Sequence, residues 1–309
     1  MSKILVTGGA GFIGSNLVDA LIEENHEVAV VDNLSTGKKE NVNPKAKFFE
    51  VDITDETALK SVFAEFSPEV IFHLAAQASV RMSVENPAED IKINVIGTIN
   101  LLELAVQNKI EKFIFSSTGG AIYGDGASRP TTEEAEEEPA CPYGLDKLAA
   151  EKYIGYFATT SDLQTICLRY ANVYGPRQNP KGEAGVVAIF AAKMLSGEPV
   201  QVNGTGEQTR DFVYVSDVVE ANLKALESKK SGIYNIGSGI ETNINEIAET
   251  MKEISESQSE ITKAKANPGE QMKSSLSAEK AKAELGFEIK TTIKEGLEKT
   301  INYFKNASS

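Results

Sequence analysis

The chain has 309 residues, 41% hydrophobic and 25% charged, which suits one large soluble domain or two unequal ones with an ample core. A net charge of −14 argues against nucleic acid as the main partner, because phosphate backbones demand clustered Lys and Arg. Two cysteines (Cys141, Cys167) and two histidines (His26, His73) leave no disulfide framework, no metal-ligand spacing and little material for a Ser-His-Asp hydrolase.

In chain order, KILVTG predicts a buried strand and FIGSNLVDALIEENH an amphipathic helix. EVAVVDN, AKFFEVDITD and PEVIFHLAA read as the second, third and fourth strands. EDIKINVIGTINLLELAVQNK predicts one long helix and EKFIFSST a fifth strand. YGLDKLAAEKYIGYFATTS is another helix, and TICLRYANVYG a sixth strand. Strands alternating with helices imply βαβ units and a parallel sheet, and near-continuous apolar strands imply that both faces are covered. The expected fold is α/β, a Rossmann-type doubly wound parallel sheet with a smaller α/β C-terminal lobe. The expected domains are residues 1–175 and 176–309, with part of about 211–240 returning to the first. The acidic run EEAEEE (133–138) reads as a solvated loop. No apolar run approaches the roughly 20 residues of a membrane span. The opening MSKILVTGGAG lacks a secretory pattern. A cytoplasmic chain with no membrane partner is expected.

VTGGAGFIG follows a strand and opens a helix, and its spacing of Gly8, Gly9, Gly11 and Gly14 suits close approach of a pyrophosphate to the helix N-terminus. The next strand ends in Asp32, which suits a ribose 2′-hydroxyl and favours NAD over NADP. Lys38 and Lys39 weaken that preference a little and read as an exposed loop. Asp52 ends the third strand and could face an adenine, or lie near a helix start capped by Thr54 or Asp55. Ligands of such sheets bind beyond the carboxyl ends of the strands. There lie the small Ala75 and Ala76, the hydroxyls of Ser116, Ser117 and Thr118, and Asn172. Tyr143 and Lys147, four residues apart, share one helix face. A Tyr is a poor base at neutral pH, but a Lys ammonium and a cationic nicotinamide nearby would lower its pKa. Arg210 could bind a pyrophosphate bidentately or pair with Asp211 at the surface, and Arg177 has the same ambiguity.

Together TGGAGFIGSNL, VVDNLSTG, HLAAQASV, NVIGTINLLE, SSTGGAIYG, YGLDKLAAE, LRYANVYGPRQ, GTGEQTRDFVYVSD and NPGE cover nearly the whole chain. It resembles the extended short-chain dehydrogenase/reductases, most closely the UDP-glucose 4-epimerase group. The resemblance implies Tyr143 as acid/base, Lys147 as the group that binds the nicotinamide ribose and depresses the Tyr pKa, and Thr118 in the place of the family's Ser/Thr. It assigns NAD to Gly8, Gly11, Phe12, Ile13, Gly14, Asp32, Asn33, Ser35, Thr36, Gly37, Asp52, Ile53, Leu74, Ala75, Ala76, Gln77, Asn94, Ser116 and Tyr170, besides Tyr143 and Lys147. It assigns the UDP-sugar to Ser79, Val80, Thr118, Tyr143, Asn172, Val186, Val187, Val200, Gln201, Val202, Arg210 and Ser274. The helices at 89–108 and 143–160 resemble those that build a homodimer.

With a Tyr base and fixed NAD, the expected steps are loss of the 4-hydroxyl proton with hydride transfer, turnover of a 4-keto sugar, and hydride return to its other face. The family's dehydratases carry Asp-Glu after the catalytic hydroxyl and its decarboxylases a Glu. Here Thr118 is followed by GGAIYG, which points to UDP-glucose/UDP-galactose 4-epimerisation. The family's pocket-width position falls on Ser274, a small residue that leaves room for UDP-GlcNAc and UDP-GalNAc. Asn267 stands where the family often has a diphosphate-binding Arg. The alternatives are a related dehydratase, decarboxylase or reductase, or a non-catalytic NAD-binding sensor.

Overall fold

The computed structural model describes residues 1–181, 185–265 and 271–307. Its first half runs β1 (Lys3–Thr7), α1 (Phe12–Glu23), β2 (Glu27–Asp32), β3 (Lys47–Glu50), α2 (Glu56–Phe66), β4 (Val70–His73), α3 (Val80–Glu85), α4 (Pro87–Ile91), α5 (Gly97–Gln107), β5 (Lys112–Thr118), α6 (Gly119–Ile122), α7 (Pro142–Thr160) and β6 (Gln164–Tyr170). Then follow β7 (Asn172–Tyr174), α8 (Val186–Ser196), β8 (Val200–Asn203), β9 (Thr209–Arg210), β10 (Phe212–Tyr214), α9 (Val215–Glu227), β11 (Gly232–Ile236), β12 (Thr242–Asn243), α10 (Ile244–Ser255), β13 (Ile261–Ala264), α11 (Glu279–Leu285) and α12 (Ile293–Ala307).

Seven parallel strands lie in the order β11-β6-β5-β4-β1-β2-β3. The winding reverses between β1 and β4, so their carboxyl ends open the crevice that binds ligands in such sheets. Alternate strand residues feed opposite layers. Ile4 and Val6 pack with Leu17 and Val18 of α1 and Val218 and Ala221 of α9. Leu5 packs with Leu59 of α2, Leu101 of α5 and Ile154 of α7. A third core joins Phe190 of α8, Val200 and Val202 of β8, Ile247 of α10 and Leu297 of α12. No helix among the described residues is long and apolar enough to cross a membrane.

Four local expectations change. TICLRYANVYG is two strands: Ala171 N–H still donates to Ile236 O (2.9 Å), but Asn172 N–H turns to Asp211 O (2.8 Å), and β7 pairs with β10 outside the large sheet. Side-chain alternation cannot report such a change of partner, because both pieces stay extended. The third strand ends at Glu50, before Asp52. The long helix contains a π turn, Lys92–Ile96, where Asn94 clamps the backbone of Gln77: its Oδ1 accepts Gln77 N–H (3.0 Å) and its Nδ2 donates to Gln77 O (2.9 Å). The acidic run 133–138 is solvated only on alternate residues, since Glu133 accepts the N–H of Asn235 (2.7 Å) and Glu137 binds Arg169 and Lys152.

Candidate functional site

The glycine loop closes tightly on the sheet. Gly8 has φ +71°, and a Cβ there would lie 2.6 Å from Ala75 N; a Cβ on Gly14 would lie 2.2 Å from Gly8 O. Only glycine permits both approaches. Gly11, before α1, brings no capping side chain, so the N–H groups at Phe12, Ile13 and Gly14 in the first turn remain available to an anion. That cradle, with an acid at the end of β2, fits a dinucleotide.

The acid is Asp32. Its Oδ2 accepts the N–H of Ala10 (3.0 Å) and its Oδ1 that of Leu34 (2.9 Å). Each carboxylate oxygen keeps a further lone pair for a ribose hydroxyl. A Cβ on Gly37 would come within 2.9 Å of Asp32 Oδ1, so only glycine leaves the carboxylate uncrowded. Asn33 Nδ2 donates to Asp52 Oδ2 (2.7 Å), joining the ends of β2 and β3, and Thr54 donates twice to Asp52 Oδ1. Burial works to raise the Asp52 pKa, but these hydrogen bonds outweigh it and hold the group below its ordinary value. Asp55, not Thr54, caps α2. Asn33, Ser35 and Thr36 are exposed beside Asp32, and Ile53 is buried. Lys38 pairs with Glu40 and Lys39 lies over Phe48, both exposed as expected of a loop.

Beyond β4, Leu74 N–H donates to Thr7 O (3.1 Å) and Ala75 N–H to the Thr7 hydroxyl (3.2 Å). Ala76 leads to Gln77, which Asn94 holds. Ser79 caps α3 by accepting Met82 N–H (3.0 Å). His73, 1% exposed, spans Thr7 (2.7 Å) and Thr98 (2.9 Å) and serves the core.

Tyr143 stands in the first turn of α7, after a Pro at the helix start whose missing N–H costs nothing there. Burial pushes its pKa up to about 12; Cys141 and Asp90 push the same way, and the hydrogen bond with Thr118 opposes them. Lys147 is buried one turn on. Its Nζ donates to Ser116 O (2.9 Å) and lies 4.5 Å from the Phe115 ring centroid. Burial draws it down to about 8, against the raising influence of Glu151 and Asp90. In the chain alone, burial outweighs any lowering of the Tyr143 pKa by Lys147. Desolvation dominates, and the Lys147 ammonium gives one of its three N–H donors to Ser116 O. Tyr170, expected at the cofactor, is buried with its hydroxyl between Ser116 Oγ (3.1 Å) and Asn222 Nδ2 (2.9 Å).

Tyr143 opens into a cleft of about 480 Å³. Phe12 and Ile13, expected at NAD, and Val80, Asn172, Val186, Val187 and Arg210, expected at the UDP-sugar, line it. Ala78, Tyr174, Gln178, Phe212 and Ile244 also line it and were not foreseen. Gln178 adjoins Arg177 in the YGPRQ motif, the one signal that could have found it. Arg210 does not pair with Asp211, which is 1% exposed and accepts from Ser238, Gly239 and Leu276. Arg177 turns away to Asp19 (2.6 Å). Val200 and Val202 are corrected: both are fully buried in the third core, and strand alternation exposes only Gln201 between them. Ser274 is buried, its N–H on Thr209 O (3.3 Å) beside Arg210. Asn267 and Pro268 of the NPGE motif lie outside the described residues. Among the described residues no cluster of His, Cys, Asp or Glu could hold a metal.

Residues 4–237 match the NAD dependent epimerase/dehydratase family. The chain is 40% identical over 312 residues to a UDP-glucose 4-epimerase of Mycolicibacterium smegmatis, covering 99% of each. Among solved structures it is similar to the UDP-glucose 4-epimerase of Thermotoga maritima with UDP-glucose (TM-score 0.98, 50% identity, covering 99% of this chain and 100% of that one). It is also similar to the Thermus thermophilus UDP-glucose 4-epimerase in complex with NAD (TM-score 0.94, 44% identity, 99% of each chain). With that match, the chain belongs to the NAD dependent epimerase/dehydratase family, is an enzyme, and uses NAD as its cofactor.

Proposed function

We propose that the enzyme is an isomerase that interconverts UDP-glucose and UDP-galactose by inverting carbon 4 of the sugar. The observation that carries this reading is the stretch after Thr118. A Cβ on Gly119 would come within 2.3 Å of Leu276 Cδ1, whereas one on Gly120 would lie 3.8 Å from Asn172 Oδ1 and 3.9 Å from Thr118 Oγ1. Position 120 thus borders the reacting groups and carries no carboxylate, so it supplies no second acid or base for elimination or decarboxylation.

NAD, when bound, supplies a reversible hydride acceptor. It is held by the Gly8, Gly11 and Gly14 loop, by Asp32 at the ribose hydroxyls, and by Lys147. Tyr143 takes the proton of the 4-hydroxyl and later returns it, while Thr118 orients that hydroxyl. Arg210 and Asn172 receive the diphosphate, because a planar guanidinium can bind it bidentately.

Ser274 and the adjacent Ser275 are both small, which supports acceptance of UDP-GlcNAc and UDP-GalNAc as well. Incubation of each of the four UDP-sugars without added reductant is expected to give its C4 epimer. Turnover of UDP-glucose with none of UDP-GlcNAc removes the broad pocket. A 4-keto-6-deoxy product marks a dehydratase instead, and no product at all with NAD bound marks a sensor.

The enzyme is further proposed to work in the cytoplasm as a homodimer. Ile91, Ile96 and Val106, and Leu145, Tyr153 and Tyr156 of α7, are exposed apolar side chains on the two helices expected to meet a second copy. Covering them is favourable by about 25 cal/mol per Å². Light scattering is expected to give twice the chain's 33.3 kDa, and the mass of a single chain would refute the dimer.

A further inference from the structure

Asp90 of α4 and Asp146 of α7 meet in the interior beside the site. They are 1% and 5% exposed on helices that pack against each other, close enough for one carboxyl to donate to the other when it holds a proton. Such a bond needs a proton, because two carboxylates offer only acceptors. Asp90 Oδ1 takes the side-chain amide of Gln77. Oδ2 of Asp90 and Oδ2 of Asp146 are buried and meet no donor group among the described residues. A proton on Asp146, shared with its neighbour, would remove one of two buried negative charges.

The contact sits at a junction. Asp146 lies between Tyr143 and Lys147 on α7. Gln77, which holds Asp90, also donates to Ser79 O (2.9 Å) and accepts Ser79 N–H (2.5 Å), and Asn94 clamps its backbone. Ala78 and Val80 of that segment form a wall of the cleft. The charge of Asp90 reaches Tyr143, Lys147 and Cys141. Other charges on the elements packed against α7 are engaged elsewhere or exposed: Arg81 pairs with Glu85, Lys92 with Glu89, and Arg169 with Glu151 and Glu137, while Glu103 is exposed.

We propose that Asp90 and Asp146 share one proton and act as positioning residues, fastening the helix of Tyr143 and Lys147 to the cleft wall at residues 77–80. The inference rests on the roles proposed above for Tyr143 and Lys147. Burial and Asp90 hold the Asp146 carboxyl up at about 7. Below that pH the pair is bonded and carries one negative charge. Above it two carboxylates repel, the fastening opens, and ionisation of Tyr143 is opposed more strongly.

The test is Asp146→Asn, whose amide donates to Asp90 and does not titrate. The folded carboxyl is raised above its unfolded value of about 3.9, so its stabilising contribution is present below that pH and is lost as pH rises through about 7. The variant should therefore melt higher than wild type at about pH 8, with a smaller difference or none at about pH 5. Its kcat should hold between about pH 7 and 9, where wild type declines, while Asp146→Ala should lose kcat at every pH. If Asp146→Asn does not fold, Asp90→Asn provides the same two readouts from the other side. Equal melting differences at both pH values overturn the shared proton, and superimposable kcat profiles overturn the positioning role. The melting comparison needs no substrate, so it stands apart from failure of the epimerase reading, which would show as wild-type inactivity on all four sugars.

Discussion

Tyr143→Phe is expected to lower kcat by roughly 10²–10⁴-fold while leaving NAD bound, because only the oxygen that carries the proton is lost. The chain alone makes this phenol reluctant to ionise, since burial raises it to about 12. On the role proposed for Tyr143, activity near neutral pH would depend on the positive charge that a bound nicotinamide brings close to it. The wild-type rate should accordingly climb with pH on the acid side of its profile, and the residual rate of the Phe variant should not. NAD retention is read from the absorbance of the purified protein. Near-wild-type turnover by the Phe variant would remove Tyr143 from the chemistry.

The second large effect concerns stability. Glu151→Ala is expected to cost about 3–5 kcal/mol, the usual penalty for stripping one partner from a buried ion pair. Glu151 accepts from Arg169 Nε at 3.0 and 3.2 Å and from Ser117 Oγ at 2.5 Å. Arg169, 1% exposed, also donates to Tyr123 OH (2.7 Å), which in turn donates to Asn235 Oδ1 (2.8 Å). Burial alone would weaken the Arg169 charge, but the hydrogen bonds of Glu151 override it and hold the guanidinium more firmly protonated than usual. Removing Glu151 leaves that charge buried with Glu137 as its remaining carboxylate. Urea unfolding measures the loss. A change under about 1 kcal/mol would mean that the network relaxes around the gap. Because Ser117 lies next to Ser116, whose carbonyl holds Lys147, kcat should fall along with stability.

The parts of this molecule legible in the sequence are those governed by neighbours along the chain. The glycine loop, the acid at the end of β2, and the Tyr143–Lys147 spacing all follow from local turn and helix geometry. What stayed hidden depends on residues distant in sequence. Asp90 and Asp146 are unremarkable acids on two helices until folding opposes them. Arg169 looks like a strand charge until Glu151 and Glu137 surround it. Val200 and Val202 were placed at the ligand by motif position, but strand alternation turns them into the core. The pKa of Tyr143 depends on how much water burial removes, which spacing cannot report.

The position of β11 has a consequence for synthesis. It pairs with β6 along its whole length, yet it leaves the ribosome long after β6, once β7 to β10 and α9 have been made. Throughout that interval β6 presents a bare row of backbone donors and acceptors, the kind of edge that recruits strands from other chains. Until β11 is in place, β6 is thus an unpaired edge of the large sheet. A chaperone that shields this edge during elongation would improve yield more than one acting on the finished chain.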